Sequence, residues 1–156
     1  MKHFIPALLA LTLFISCAKN KKAENTDAPV DNVAQNEQQI KDYVTKNKLD
    51  AHRTESGLYY VINEPGTGAQ PTATSNVTVA YKGSFLDGKV FDESSDGISF
   101  GLDQVIKGWT EGIPYFKTGG TGILLVPAHL GYGDNDYNTI PGGSVLVFEI
   151  KLISVN

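Results

Sequence analysis

Among its 156 residues the sequence has one cysteine, Cys17, so no disulfide can close within it. It lacks any excess of positive charge. Thirteen lysines and arginines stand against 17 acidic residues, a net charge of −4, and no basic stripe is present to neutralise phosphates. A nucleic-acid partner is therefore disfavoured. Three histidines occur, His3, His52 and His129, each isolated. No nucleophile motif stands beside them, which argues against a Ser-His-Asp or metal-dependent hydrolase. There is no P-loop, and the glycine pairs in "GTGAQP" and "GYGDND" lack the third glycine and helix of a dinucleotide site. "DNDYNT" opens like a calcium loop, with Asp134, Asp136 and Asn138 alternating. Yet Thr139 replaces the required glycine, and Val145 stands where the bidentate glutamate belongs. The reading therefore includes no metal and no cofactor.

The apolar run from Phe4 to Ser16 is too short to span a bilayer, and it follows a positive start at Lys2. It has the form of a signal-peptide core. Its end, "LFISC", resembles a bacterial lipobox, with Phe14 where leucine is usual. Residues 1–17 are thus expected to be a signal peptide ending at a lipidated Cys17. The mature protein is expected in the bacterial cell envelope, held to a membrane by its lipid and facing the periplasm. Residues 18–35 are small, polar and aperiodic, which predicts a flexible linker.

Over 36–50 a helical period appears, with Ile40, Tyr43 and Val44 on one face and Lys41, Asp42, Lys46 and Lys48 on the other. The short stripe predicts a leader helix leaning on the domain rather than a partner or dimerisation helix. From Gly57 the pattern becomes β. "GLYYVI", "NVTVAYKGSF", "GTGILLVP" and "SVLVFEIKLISV" read as strands, and Asp87-Gly88 marks a hairpin. In the last of these, Leu146, Phe148, Ile150 and Leu152 share one face. A helix over Val105–Ile113 fits the recurrence of Val105, Ile106, Trp109 and Ile113. Gly108 and Gly112 sit inside that helix, each costing roughly 1 kcal/mol relative to alanine. The fold class is α+β: an antiparallel sheet with one crossing helix.

Aromatics are dense in the loops and at strand ends: Tyr81, Phe91, Phe100, Trp109, Tyr132, Tyr137 and Phe148. Singly each reads as core. Together they exceed what so small a core needs. Asp92 follows Phe91 directly, and Tyr132 lies between two glycines. An apolar concavity edged by a carboxylate and tyrosine hydroxyls is the usual form of a small-molecule or peptide site.

Four segments, "VAYKGSFLDGKVFDES", "QVIKGWTEGI", "VPAHLGYG" and "IPGGSVLVFEIKLI", resemble the signature segments of the FKBP-type peptidyl-prolyl cis-trans isomerases, in the family's order. The likeness covers about residues 56–154. The signal, linker and leader helix resemble those of exported bacterial members. The resemblance implies an antiparallel β half-barrel wrapped around one short helix, here as an isomerase domain over 51–156 behind the leader helix. It implies pocket positions at Tyr81, Phe91, Asp92, Phe100, Val105, Ile106, Trp109, Tyr132, Ile140 and Phe148, with Val105, Ile106 and Trp109 on the helix. Tyr81, Asp92 and Tyr132 would be the catalytic polar groups. The other seven would bind substrate, and Trp109, partly exposed, would be the floor.

The chain departs from the family between Phe91 and Val105, where it is shorter than small eukaryotic members. In the Tyr132–Ile140 loop, Tyr137 stands where histidine is frequent and Thr139 where isoleucine is. That loop is too short for the inserted flap of some bacterial relatives.

The activity implied is rotation about X-Pro bonds during folding of exported proteins. Partners would be proline-containing unfolded or nascent polypeptides and macrolide inhibitors of the family. The alternative is a non-catalytic peptide-binding or holdase chaperone module. No sequence feature fixes the oligomeric state.

Overall fold

Strand β5 (Thr121–Val126) and strand β6 (Leu146–Val155) carry the most continuous apolar runs, and their placement explains why. They lie at the middle of one six-stranded antiparallel sheet, ordered β1-β2-β5-β6-β3-β4. The other strands are β1 (His52–Arg53), β2 (Tyr59–Glu64), β3 (Asn76–Phe85) and β4 (Val90–Gly101). A central strand covered on both faces needs apolar side chains at successive positions. Leu124, Val126, Leu146, Phe148, Ile150 and Leu152 face a core closed by helix α2 (Lys107–Gly112). Leu125 and Val147 face the other way, toward helix α1 (Asn32–Asn47). This computed structural model describes residues 32–156. The expected signal segment, Cys17 and the linker up to residue 31 lie outside the described residues. Among the described residues no helix is long and apolar enough to cross a membrane.

Helix α1 starts earlier than the sequence suggests. Residues 32–35, expected in the linker, are helical because Asn32 and Asn36 reach groups in the domain. It also stops earlier, at Asn47. Lys48 takes φ +53, and the N–H groups of Lys48 and Leu49 donate to the Thr45 and Val44 carbonyls at 3.2 and 3.0 Å. That pair of bonds is a Schellman stop, formed here without glycine. Ile40 is fully buried against Tyr59, Leu125, Val145 and Val147.

Helix α2 is shorter than the expected Val105–Ile113 helix. Val105 (φ −115, ψ 178) and Ile106 (φ −59, ψ 147) precede it in extended conformations, so neither is helical. Both are β-branched and tolerate this geometry well. The Ile106 carbonyl accepts from Trp109 and Thr110 at 2.9 and 3.2 Å, which sets the helix start. Pro114 has no N–H to extend the ladder, and the chain passes into a 3-10 turn at Ile113–Tyr115. The two helical glycines are explained by proximity to the sheet. A Cβ on Gly108 would lie 2.6 Å from Val126 Cγ1, and one on Gly112 would lie 2.7 Å from Leu124 Cδ2. The backbone of α2 thus rests directly on β5.

Candidate active site

Strand β4 bends twice against β3, and each irregularity places a side chain. Gly83 pairs with Asp92 and Ser84 with Val90, so Phe91 is an extra residue at a bulge. Strict alternation would send Phe91 and Asp92 to opposite faces; the bulge lets both reach the same cleft. Phe91 fits because it passes over a residue with no side chain: a Cβ on Gly83 would lie 2.7 Å from its ring. The second irregularity falls between the Tyr81–Ser94 and Val79–Ile98 pairs, after which Ile98 and Phe100 face the cleft.

The cleft has a volume of about 530 Å³ and is lined mainly by rings. Trp109 is central. Its ring lies edge-on to Tyr81 (centroids 4.9 Å apart, 79°) and Phe148 (5.1 Å, 80°), and tilted against Phe100 at 5.2 Å. Phe91 meets Phe148 edge-on at 5.7 Å. Edge-to-face sets of this kind are favourable beyond their buried area. Trp109 is only 6 % exposed, less than the sequence reading expected, because these rings pack against it. Its Nε1–H is buried and has no hydrogen-bond partner.

Polar groups sit at the rim. The Tyr81 hydroxyl donates to Asp92 Oδ2 at 2.6 Å. Burial, then this bond to the carboxylate, raises the Tyr81 pKa well above the ordinary phenol value. Burial also raises that of Tyr132, with Tyr137 and Asp92 adding to it. Both hydroxyls are therefore protonated donors at neutral pH. Tyr132 and Tyr137 stack face to face, centroids 4.6 Å apart at 10°. Among the described residues no acceptor takes up the Ile106 N–H, and Ile106 lines the cleft beside Val105.

The profile of the family described as FKBP-type peptidyl-prolyl cis-trans isomerase matches residues 68–153. The chain belongs to that family. It is 44 % identical over 111 residues to the FKBP-type isomerase FkpA of Buchnera aphidicola, covering 69 % of this chain and 44 % of that one. Among solved structures it is similar to FkpA from Escherichia coli, with 40 % identity, a TM-score of 0.71, and coverage of 80 % of this chain and 61 % of that one. It is also similar to the peptidyl-prolyl cis-trans isomerase of Pseudomonas syringae pv. tomato, at 34 % identity and a TM-score of 0.70, covering 84 % and 98 %. The chain spans about half the length of the curated relatives it matches.

Nine of the ten positions that the FKBP resemblance implied line this cleft: Tyr81, Phe91, Asp92, Phe100, Val105, Ile106, Trp109, Tyr132 and Phe148. Ile140 does not. It is 7 % exposed and packs in the core under the loop, while its backbone exchanges two 2.9 Å bonds with Tyr137. Asn138 makes that tight turn possible with φ +52. Ile140 thus fixes the Tyr137 backbone from outside the cleft lining. Two further lining residues, Ile98 and Gln104, went unassigned in the sequence, and Tyr137, counted there among the loop aromatics, was given no pocket position. For Ile98 the usable signal was an apolar residue alone in a polar stretch, now 49 % exposed at the rim. His129 braces the loop, its Nε2 lying 2.8 Å from the Ser56 carbonyl.

Proposed function

We propose that this protein catalyses cis/trans exchange of X-Pro peptide bonds in exported proteins as they fold. The observation that carries the reading is the ring-lined cleft with a tyrosine-aspartate pair at its rim and an unpaired backbone N–H beside it. The reaction requires twisting an amide over a barrier of about 20 kcal/mol. The twisted amide loses resonance and its carbonyl becomes less polar. Moving it from water into an apolar slot therefore favours the twisted state over the planar one. No nucleophile takes part. Trp109, Phe148, Val105 and Phe91 receive the proline ring. The Ile106 N–H and the Tyr132 hydroxyl hold substrate carbonyls, so that rotation is confined to one bond. Asp92 holds the Tyr81 hydroxyl and presents negative charge toward the rotating group.

The cellular setting rests on the sequence: export through residues 1–17, a lipid on Cys17, and a short linker that keeps the domain near the membrane on the periplasmic side. Unfolded proline-containing chains are the substrates, and macrolides that fill FKBP-type clefts would compete with them. The deciding experiment measures exchange of a short X-Pro peptide with and without protein; a folded sample that gives no acceleration refutes the isomerase. Replacing Cys17 by serine should move the protein from the membrane to the soluble fraction. Continued membrane association would refute the anchor.

A further inference from the structure

The loop from Ala128 to Gly143 carries Tyr132 and Tyr137, and it is closed by a side chain from another element. The Gly133 N–H donates to the Ala128 carbonyl at 2.8 Å, and the Gly143 N–H donates to the Gly133 carbonyl at 2.9 Å. Asn36 on α1 completes the ring. Its Oδ1 accepts from the Ala128 N–H at 2.8 Å, and its Nδ2 donates to the Gly143 carbonyl at 2.9 Å. The circuit runs Asn36, Ala128, Gly133, Gly143 and back to Asn36. Tyr132 is the residue immediately before one of its members. One turn earlier on α1, Asn32 Nδ2 donates to Asp134 Oδ1 at 2.8 Å.

Asn36 is 1 % exposed, one of only two buried polar side chains among the described residues. Only an amide suits the position, since it offers one acceptor and one donor on a single short stem. An aspartate would turn a second acceptor toward the Gly143 carbonyl. A leucine would leave the buried Ala128 N–H and the partly buried Gly143 carbonyl without this partner. Nothing in the packing of α1 requires a polar residue here, because Ile40 supplies the apolar contact one turn on.

We propose that Asn36 is a positioning residue for the cleft: from the leader helix it holds the ends of the Ala128–Gly143 loop together and so fixes the Tyr132–Tyr137 wall. The proposal rests on the isomerase reading for its kinetic consequence. The clamp itself can be read without that reading.

The test uses full-length protein with Asn36→Ala, and with Ile40→Val as a control that loosens α1 without touching the loop. Asn36→Ala should raise KM for an X-Pro peptide about tenfold with kcat little changed, as expected when a binding wall loses its preorganisation. It should also speed amide hydrogen exchange at Gly133 and Gly143 while leaving Leu124 and Ile150 as in the parent. Ile40→Val should do neither. Loop exchange unchanged in Asn36→Ala, or an equal effect of Ile40→Val on KM or on loop exchange, overturns the proposal. If the parent protein turns over no X-Pro peptide, the isomerase reading fails by itself. Loop exchange and a Trp109 fluorescence titration with the same peptide then decide the clamp: weaker binding by Asn36→Ala supports it, and unchanged binding overturns it.

Discussion

On the face of the sheet covered by α1, Glu37 accepts from the Tyr59 hydroxyl at 2.8 Å and from Arg53 Nε at 3.0 Å, and it pairs with Lys41 at 3.1 Å. On the face covered by α2, the buried Trp109 Nε1–H has no partner and the Ile106 N–H stays open. The two faces share strands β5 and β6 and differ in what they do with polar groups. The α1 interface pairs its donors and acceptors within the chain, which fixes one docking register. The cleft leaves donors free among aromatic rings. A donor without a partner is costly in a resting protein; at Ile106, which lines the cleft, a substrate carbonyl would remove that cost on the isomerase reading. An interface that holds two elements together and a site that must accept a third molecule call for opposite arrangements.

The largest test of that contrast removes the ring at the centre of the cleft. Trp109→Ala should cost about 3–5 kcal/mol of stability, the range for large aromatic truncations in cores. Urea unfolding monitored by circular dichroism measures it. A loss below about 2 kcal/mol would mean that the cleft floor is pliable and carries little of the fold. Trp109 would then belong to the site alone, and the comparison would have to be redrawn.

Next come the helical glycines. Gly108→Ala gains about 1 kcal/mol in helix propensity. Its new methyl meets Val126 at 2.6 Å, and that of Gly112→Ala meets Leu124 at 2.7 Å and Leu58 at 3.2 Å. Overpacking costs about 1–3 kcal/mol, so each substitution should lower the unfolding midpoint despite the better helix former. A rise would show that α2 can lift from β5.

These glycines also mark the limit of what the sequence makes legible. They looked like defects in a helix because composition gives propensity and not distance. The strand faces were readable because period 2 in Leu146, Phe148, Ile150 and Leu152 is a local pattern. Phe91 beside Asp92 was readable as a candidate site from the density of aromatics, and the family likeness gave the two their pocket positions. Alternation alone puts the two on opposite faces, and the bulge that reunites them depends on Asp92 pairing with Gly83, nine residues away. The absence of Ile140 from the cleft lining was hidden for the same reason. Its segment matches the family, but whether its side chain turns to core or cleft is set by the Tyr137 turn. Asn36 gave no local signal, since its partners lie 92 and 107 residues further along.

A smaller effect separates catalysis from bracing. Tyr81→Phe removes the hydroxyl that donates to Asp92 and keeps the ring against Trp109. It should lower kcat/KM about tenfold, or about 1.4 kcal/mol of transition-state stabilisation. The unfolding midpoint should move little, because Asp92 is exposed and regains water. A drop in stability with kcat/KM unchanged would make the pair a brace and remove it from the mechanism.

The smallest effect concerns the other face and is set by pH. Burial alone would raise the Glu37 pKa, but hydrogen bonds from Tyr59, Lys41 and Arg53, with the Arg53 charge, outweigh it and lower the value below its ordinary 4.5. A lowered carboxylate stabilises the fold fully above its unfolded pKa, and the contribution fades as pH falls through the folded one. Glu37→Gln keeps an acceptor for Tyr59 and removes the charge. The difference in unfolding free energy between parent and variant should therefore be steady near neutrality and shrink below about pH 4.5. The side chain is 22 % exposed and one partner, Lys41, is 56 % exposed, so solvent screens the network. The difference should be under about 1 kcal/mol at pH 7, and should fall further when salt is raised. A difference that does not change between pH 7 and pH 3 would show that the Glu37 charge is not its source, and the α1 face would then be held by neutral contacts, as it is at Asn36.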